Sequence, residues 1–236
     1  MKVSLIIPAY NEEKYIGNCL EYAIKNSNSW FHEIIVIDNN CTDRTKEIAE
    51  GYPGVRVVQE PKKGLTRARQ RGLEEATGDF LAYIDADTRL PHGWVKKAEE
   101  VFSSRPEVVS LSGPYKYYDG TLYLRATQKL LWPVAKTAYA IAGYGVLGGN
   151  FIAKKSALLG MGGFDTTIEF YGEDTDIARR LSKFGKVVFQ LNFYIYSSAR
   201  RLNHKGLMRI NIVYALNFIW GALFKKPFSK TYEDIR

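Results

Sequence analysis

"FLAYIDADTRLP", residues 80–91, is an apolar run that stops at two carboxylates one residue apart, those of Asp85 and Asp87. The apolar half has the composition of a buried strand. Like charges at the end of a buried strand repel each other, so the pair needs compensation from its surroundings. Three interpretations are open: a turn that caps a helix at 91–104, an acid/base pair, or oxygen ligands for a metal ion that carries a diphosphate.

On both sides of this stretch, short apolar runs alternate with segments of helical periodicity. Near-continuously apolar strands that alternate with amphipathic helices are typical of a mostly parallel sheet covered by helices on both faces, an α/β fold. The sequence predicts strands at 3–8, 33–38, 55–58, 79–85 and 107–113. It predicts helices between them at 12–26, 41–54, 64–78 and 92–104.

Three of the predicted strands are followed by polar residues. The first is followed by "PAYNEE", the second ends in "DNN" and the fourth ends in "DAD". Ligands of open α/β sheets bind outside the carboxyl ends of the strands. We therefore expect one site at this rim, although Asp38 in "DNN" is also suited to a plain loop turn.

The second half of the chain is less regular. Residues 122–142 have the periodicity of an amphipathic helix, in which Pro133 is expected to cause a kink. Residues 145–158 are rich in glycine and then strand-like, 173–185 predict a helix and 186–190 a strand. The apolar stripe of 122–142 is expected to pack in the core; it consists of Leu124, Leu131, Ala135, Ala138 and Ala142.

Composition narrows the class of protein. The chain has 236 residues, 46% hydrophobic, and a net charge of +8, which suits a phosphorylated small molecule or a membrane surface. Nucleic acid is not expected as a partner, because no nucleic-acid-binding motif accompanies the charge. Two cysteines imply no disulfide framework, and "VSLII" is too short for a secretory segment, so a reduced, cytoplasmic setting is expected. No dinucleotide-binding glycine motif follows the first strand.

Seven segments together resemble one family. They are "VSLIIPAYNEEKYIGNCL", "EIIVIDNNCTDRT", "KKGLTRARQRG", "GDFLAYIDADT", "GGNFIAKKSAL", "GGFD" and "YGEDTDIARRL", in this order over residues 3–185. The set is similar to that of family-2 inverting glycosyltransferases with the GT-A fold. The resemblance implies a mixed, mostly parallel sheet flanked by helices, with a helical C-terminal extension. One departure is "DNNCTD", where such families often have "DDGSTD", so no metal role is expected for Asn39 or Asn40.

The resemblance also implies roles for single residues. A nucleotide-sugar site is expected to include, in chain order, Pro8, Ala9, Tyr10, Glu12, Asp38, Gly64, Arg69, Asp85, Ala86, Gly149, Asn150 and Arg201. Within it, Asp38 is expected to contact the base, and Gly64 and Arg69 to close over the nucleoside. Asp87 is the expected principal metal ligand, with Asp85 beside it, for Mn²⁺ or Mg²⁺. Asp174, next to Glu173, is the expected catalytic base, and Asp176 competes with it.

Elementary chemistry agrees with these assignments. A nucleotide-diphosphate sugar donor releases a diphosphate, whose growing charge needs a cation. The acceptor hydroxyl must lose a proton, which needs a carboxylate with a raised pKa. The carboxylates at 85/87 and 173/174 suit these two tasks, although Glu173 and Asp174 also suit a plain helix N-terminus. A glycosidase would need no metal pair.

The segment after residue 196 leaves several alternatives open. Arg200 and Arg201 are candidates to clamp a diphosphate or to meet anionic lipid, and His204 is a candidate further metal ligand. The apolar run at 207–224 is interpreted as a helix that packs on the enzyme or a partner, lies in the membrane surface, or spans the membrane. In the last two cases a peripheral or integral membrane contact at the cytoplasmic face and a lipid-linked acceptor are expected.

We predict one domain over 1–205, with a nucleotide-binding half (1–113) and an acceptor half (114–205), followed by an extension over 206–236. The expected activity is metal-assisted transfer of a sugar to the hydroxyl of a glycan or lipid-linked acceptor. Two rivals remain. A sugar-phosphate nucleotidyltransferase would need a glycine- and arginine-rich loop where this chain has "PAYNEE". A protein of the same fold that binds nucleotide sugar or membrane without turnover is the other.

Overall fold

A computed structural model describes residues 1–27, 30–168, 172–200, 202, 217 and 220. Arg201, His204 and nearly all of 206–236 lie outside the described residues. The strands are β1 (Val3–Ala9), β2 (Phe31–Asp38), β3 (Val55–Gln59), β4 (Phe80–Ile84), β5 (Val108–Ser112), β6 (Tyr115–Tyr117), β7 (Asn150–Lys154), β8 (Lys186–Phe189) and β9 (Ile195–Ser197). The helices are α1 (Ile16–Ser27), α2 (Thr45–Glu50), α3 (Leu65–Glu75), α4 (Trp94–Ser104), α5 (Leu122–Ala142), α6 (Lys155–Gly160) and α7 (Glu173–Leu181).

The main sheet of the described residues has seven strands in the order β3-β2-β1-β4-β7-β5-β8. All neighbours pair in parallel except β7, which is antiparallel to both β4 and β5. Strands β6 and β9 form a second, two-stranded parallel sheet. The prediction of a mixed, mostly parallel sheet is confirmed. Because β1, β2 and β4 run in the same direction, their polar endings meet at one rim, as the sequence predicts.

Apolar side chains cover both faces of the sheet. Within β1, Val3, Leu5 and Ile7 belong to a cluster that includes residues of α1 and α4. Ile6 lies on the opposite face, in a cluster that includes residues of α3, α6 and α7. Two covered faces explain why the strands read as continuous apolar runs rather than as an alternating pattern.

Five helices are shorter than the sequence predicts, and two of them show the physical reason; the five are those predicted at 12–26, 41–54, 64–78, 92–104 and 173–185. Helix α2 begins at Thr45 rather than at 41, because the Asp43 carboxylate accepts hydrogen bonds from the backbone N–H and the hydroxyl of Thr45 at 3.0 and 2.5 Å. Helix α3 ends at Glu75 rather than at Gly78. The Gly78 N–H donates instead to Ser4 Oγ at 2.9 Å, which ties this residue to β1.

Helix α5 corrects one prediction about the core. The Thr121 hydroxyl caps its start by accepting the Leu124 N–H at 3.2 Å, and the helix runs through Pro133. Leu124 is buried, but Leu131 is exposed and the three predicted core alanines are only partly buried. The predicted core stripe is therefore wrong beyond Leu124. Among the described residues, no helix is sufficiently long and apolar to cross a membrane.

A close backbone approach at Gly113 gives a first test of the fold. A Cβ atom there would overlap the carbonyl group of Phe193 and lie 2.7 Å from the carbonyl oxygen of Gln190. Because backbone atoms cannot turn away, Gly113→Ala is expected to lower the free energy of unfolding by about 3 kcal/mol. Urea unfolding measures this loss. Gly51→Ala is the control, since the nearest atom to its Cβ would be the Ile48 carbonyl oxygen at 3.3 Å and its φ of −70° suits any residue. Equal losses of stability in both variants would contradict the packing described here.

Candidate active site

Each of the two carboxylates that follow β4 lies beside a different arginine. Asp85 is half exposed, and its Oδ1 lies 3.9 Å from an Nη of Arg69. Asp87 is buried, and its Oδ2 lies 3.3 Å from Nε of Arg200. The repulsion between the two aspartates is therefore offset by cations from two distant segments, the first on α3 and the second just after β9.

Arg200 joins two of the polar strand endings. Its Nη2 donates to Glu12 Oε1 at 2.6 Å, while its Nε faces Asp87, and its guanidinium lies 4.4 Å from the centre of the Tyr15 ring. Burial acts to lower the pKa of Arg200, but the hydrogen bond and charge of Glu12 and the charge of Asp87 raise it above its ordinary value. Arg200 is therefore a fixed cation at the rim.

The backbone before Arg200 is held by side chains. Asp119 accepts the Ser198 hydroxyl and the Ala199 N–H, both at 2.6 Å, and the Ser197 hydroxyl donates to Asp87 Oδ1 at 3.2 Å. Arg201, rather than Arg200, is predicted to belong to the nucleotide-sugar site; Arg201 lies outside the described residues, and Arg200 is the arginine that the structure shows at the rim. Two adjacent arginines with no regular periodicity give no signal for which side chain faces the site.

The loops after β1, β2 and β3 are tied together by Asn39. Its N–H donates to the Ala9 carbonyl at 2.9 Å, its Nδ2 donates to the carbonyls of Glu60 and Lys62 at 3.1 and 2.9 Å, and its Oδ1 accepts the Gly64 N–H at 2.8 Å. This residue was not among the predicted site residues. Its role is to fix the start of α3 against the rim.

The remaining predicted nucleotide residues line the same rim with different exposure. Tyr10 and Pro8 are partly exposed, and the ammonium of Lys63 lies 3.9 Å from the centre of the Tyr10 ring. The side chains of Ala9 and Ala86 are buried in the core, so only their backbone faces the rim. Asp38 is buried, and its Oδ1 accepts the Cys41 N–H at 2.9 Å, which is the loop-turn role that the sequence left open.

Arg69 lies below the rim, between the two sets of carboxylates. Its side chain is 2% exposed. It forms an ion pair and hydrogen bond with Glu173, and its Nη1 lies 4.0 Å from Asp174 Oδ1, in addition to its contact with Asp85. Burial acts to lower the pKa of Arg69, but these three carboxylates raise it. The residue expected to close over the nucleoside is thus a buried cation that links the predicted metal and base residues.

Asp174 has the properties of a general base. Its side chain is 31% exposed. The Gly148 N–H donates to its Oδ1 at 2.8 Å, which fixes its orientation. Loss of hydration and then the charge and hydrogen bond of Glu173 raise the pKa of Asp174 well above its usual range, against the opposing charge of Arg69. A general base is most effective when its pKa lies near the working pH, so a raised pKa makes this carboxylate a better base at neutral pH.

Asp176, the alternative candidate for the base, is paired with arginines of its own helix. Asp176 forms ion pairs with Arg179 at 2.6 Å and with Arg180 at 3.2 Å, both on its own helix. Glu173 is buried against Arg69. Of the three acids at the start of α7, Asp174 is therefore the most exposed to an incoming acceptor.

The glycine pair before β7 separates the two carboxylate sets. A Cβ at Gly148 would overlap Asp174 and Arg69, and a Cβ at Gly149 would overlap Asp85. The Gly149 N–H donates to Tyr115 Oη at 3.1 Å. Only glycine allows the backbone to pass between these side chains, which places the loop between the predicted metal and base residues.

Asn150 corrects a predicted site residue. Its Nδ2 donates to the carbonyls of Gly113 and Phe193 at 2.8 and 2.9 Å, and its Oδ1 accepts Trp94 Nε1–H at 3.1 Å. The side chain is fully buried. All the polar atoms of its side chain are engaged inside the protein, so Asn150 supports the glycine loop from below, and its side chain has no polar atom left to offer a ligand.

The residues at the rim are suited to supply the protein ligands of a Mg²⁺ or Mn²⁺ ion that also binds a diphosphate. Mg²⁺ is commonly held by one or two carboxylates together with substrate phosphates rather than by a cage of protein ligands. Asp85 and Asp87 supply those carboxylates. Within the part of the chain that the structure describes, no group of three or more His, Cys, Asp or Glu side chains is assembled to hold a metal alone. Asp87 must exchange its contact with Arg200 to bind such an ion.

Comparison with known proteins identifies the family. The sequence model described as "Glycosyl transferase family 2" matches residues 4–158, about two thirds of the chain. The chain belongs to glycosyl transferase family 2. The match includes the β1, β2 and β4 endings and the glycine pair, whereas Glu173 and Asp174 lie beyond it.

Relatives named as glycosyltransferases agree with this assignment. The chain is 42% identical over 94 residues to the uncharacterized glycosyltransferase YibD of Escherichia coli, which covers 38% of the chain and 27% of YibD. It is 32% identical over 141 residues to a dolichol-phosphate mannosyltransferase of Pyrococcus furiosus, which covers 56% of the chain and 36% of that protein. The aligned segment thus spans well under half of either relative.

The family-2 chain also shares its fold with solved structures. It superposes on the mannosyltransferase PcManGT of Pyrobaculum calidifontis, solved in complex with GDP-Man and Mn²⁺, with a TM-score of 0.72. The sequences are 20% identical, and the superposition covers 95% of this chain and 63% of PcManGT. The predicted GT-A fold is confirmed.

Proposed function

We propose that this family-2 chain is an inverting glycosyltransferase, which moves a sugar from a nucleotide-diphosphate sugar to an acceptor hydroxyl with the help of a divalent metal ion. The observation that carries the proposal is the arrangement around Gly148 and Gly149, with Asp85 on one side of the loop and Asp174 on the other. Transfer requires charge neutralisation at the leaving diphosphate and proton removal at the attacking hydroxyl, and two separate carboxylate sets suit these two tasks.

On the donor side, the loops held by Asn39 and Gly64 form the seat for the nucleoside. Asp85 and Asp87 are the residues that would hold the metal, which supplies positive charge to the departing diphosphate when bound. Arg200 is a second cation at the same place. If Asp87 turns to the metal, Arg200 keeps its bond to Glu12 and its charge at the rim.

On the acceptor side, Asp174 would accept the proton of the attacking hydroxyl. The Gly148 N–H keeps one carboxylate oxygen oriented toward the loop, and the side chain is 31% exposed, which leaves room for an acceptor hydroxyl to approach it. Attack from this side, opposite to the diphosphate, inverts the configuration at the anomeric carbon. Arg69 contacts carboxylates of both sets, so it holds the base at a fixed position relative to Asp85.

The relatives fit this proposal without fixing the substrates. PcManGT is solved with GDP-Man and Mn²⁺, and the Pyrococcus relative is named as a dolichol-phosphate mannosyltransferase. We take from these names a nucleotide-sugar donor, Mn²⁺ as the first metal to test, and a lipid-linked acceptor as one candidate class. Neither name selects the base or the sugar for this chain.

The donor half of the proposal predicts a metal-dependent affinity. We expect Mn²⁺ to strengthen binding of a nucleoside diphosphate to the wild-type chain and to have no such effect on Asp87→Ala. Isothermal titration with uridine, guanosine and thymidine diphosphates, with and without Mn²⁺, measures this. Glu50→Ala is a charge-matched control, because Glu50 forms an exposed ion pair with Lys46 at 3.8 Å on the surface of α2. Mn²⁺-dependent binding that survives in Asp87→Ala would overturn the assignment of Asp87.

A transfer assay separates this proposal from its rivals. Incubation with nucleotide sugars should release nucleoside diphosphate in an acceptor-dependent manner. Release of pyrophosphate from a nucleoside triphosphate would indicate a nucleotidyltransferase instead. Diphosphate binding without any sugar transfer across donors and acceptors would indicate a binding protein of the same fold.

A further inference from the structure

Helix α5 carries an apolar stripe on its outer side. Tyr123, Leu130, Val134 and Ile141, which we call the α5 stripe, are all exposed, Leu130 at 74% and Ile141 at 83%. Their spacings of seven, four and seven residues place them on one line along a helix with 3.6 residues per turn. The line is about 27 Å long. Exposed apolar residues scattered singly are ordinary, but a continuous line of this length marks a contact surface.

The charges of α5 are all positive. The helix contains no Asp or Glu, and its three charged residues, Arg125, Lys129 and Lys136, are exposed. Their spacings of four and seven residues group them on a side of the helix away from the α5 stripe. The helix thus combines an apolar line with an exclusively cationic flank.

The inner side of α5 is fixed to the active site. Gln128 Nε2 and Trp132 Nε1 both donate to the Tyr115 carbonyl at 3.0 Å, and the Tyr115 hydroxyl accepts the Gly149 N–H. Toward the end of the helix, burial and then the charge of Asp174 raise the pKa of Tyr139. One side of α5 therefore contacts the residues around the glycine loop, while the α5 stripe faces outward.

We propose that the α5 stripe docks the protein onto an anionic lipid surface, with α5 lying in the plane of the interface. A helix with one apolar side and a polar side rich in Lys and Arg is the form that binds at the boundary between headgroups and acyl chains. Anionic headgroups complement Arg125, Lys129 and Lys136. The α5 helix of a second copy of the chain would offer these cations no acidic residue, so it complements them less well. Lysine is also depleted in protein interfaces.

This docking places the active site close to the lipid surface. An α-helix with its side chains is about 10–12 Å across, so the glycine loop lies roughly one helix diameter from the interface. If the proposed function holds, an acceptor hydroxyl carried on a lipid is within reach of Asp174. The docking itself does not depend on the transfer reaction.

Vesicle flotation with the full chain tests the proposal. The probes are vesicles of phosphatidylcholine alone and of phosphatidylcholine with 30 mol% phosphatidylglycerol, a fraction of about one third chosen for charge. The wild-type chain should float with the anionic vesicles. Because withdrawal of one leucine-sized side chain from water contributes roughly tenfold to affinity, the double variant Leu130→Glu/Ile141→Glu should bind at least about tenfold more weakly.

Matched variants separate the α5 stripe from other surfaces. Leu159→Glu, at a leucine on α6 that is 57% exposed, should float like the wild type. Lys129→Gln/Lys136→Gln should lose the preference for anionic vesicles. The milder variant Leu130→Ser/Ile141→Ser replaces the glutamate pair if that pair unfolds. Nucleoside diphosphate binding should be equal in all these variants. A variant that loses it has a defect in folding or in the donor site, and its flotation does not report on docking.

Two results would overturn the proposal. If both stripe variants float as well as the wild type, lipid binding does not depend on the α5 stripe. Another surface, such as the 207–224 segment, would then bind the lipid. A wild-type dimer in solution that both stripe variants convert to a monomer, with no flotation of the wild type, would assign the α5 stripe to a second copy of the chain. Light scattering on the same samples gives the mass.

Discussion

Asp174→Asn is expected to leave donor binding intact and to lower the rate of sugar transfer by about three orders of magnitude. The amide retains the size of the side chain and the hydrogen bond from Gly148, but it cannot accept the hydroxyl proton. Titration with nucleoside diphosphate and a transfer assay under saturating donor measure the two halves of this expectation. Asp176→Asn, two residues along the same helix, should keep most of the activity because Asp176 is paired with Arg179 and Arg180.

The pH dependence provides a second readout for the same base. Transfer requires the ionised form of Asp174, so the rate should fall as the pH drops through the pKa of this carboxyl. Because that pKa is raised above its usual range, the fall should begin nearer to neutrality than for an ordinary aspartate. An acid limb that is unchanged in Asp174→Asn, or equal activity losses at Asp174 and Asp176, would show that another group is the base.

Arg69→Met is expected to lower the free energy of unfolding by about 3–5 kcal/mol. The substitution leaves Glu173 buried without its cation and Asp174 and Asp85 with less neutralising charge. Arg71→Met on the same helix is the control. Arg71 pairs with Glu75 at 2.8 Å but is half exposed, so the loss there should be under about 1 kcal/mol. Urea unfolding of both variants measures the difference.

The Arg69 deficit should also shrink as the pH falls. Without the guanidinium, the pKa of Asp174 loses the charge that opposes its rise and increases further in the folded state, so the folded variant binds more protons than the unfolded chain. Stability then increases as the pH is lowered. Similar losses in Arg69→Met and Arg71→Met, or a deficit that does not depend on pH, would contradict the role of Arg69 as the shared counter-ion.

The strands and the site rim follow from sequence patterns, and the reasons are physical. Runs such as "VSLIIP" and "FLAYI" are apolar on both faces because helices cover both faces of the sheet, and their polar endings mark the rim. The carboxylates of Asp85, Asp87 and Asp174 lie where those endings and the start of α7 predict. Helix ends were less accurate, since Asp43 and Ser4 set them through contacts that periodicity does not contain.

The errors concern the direction and surroundings of side chains. Asn150 follows a glycine pair and resembles a loop residue, but its pairing opposite Ile84 puts it inside the sheet. Arg69 lies in a polar helix, and its burial depends on carboxylates that come from residues far along the chain. The periodicity of 122–142 predicts a core stripe that begins at Leu124, but a sequence pattern does not state which side of a helix faces the core and which faces outward. Arg201 was chosen over Arg200 for the same reason.

Crystals grown with Mn²⁺ and a nucleoside diphosphate, with data collected at the manganese absorption edge, test the central claim most directly. We expect an anomalous peak at the carboxylate of Asp87, diphosphate oxygens on the same ion, and Arg200 still bonded to Glu12. Bound nucleotide with no manganese at that carboxylate, and with Arg200 still paired to Asp87, would contradict a metal-assisted transfer at this rim.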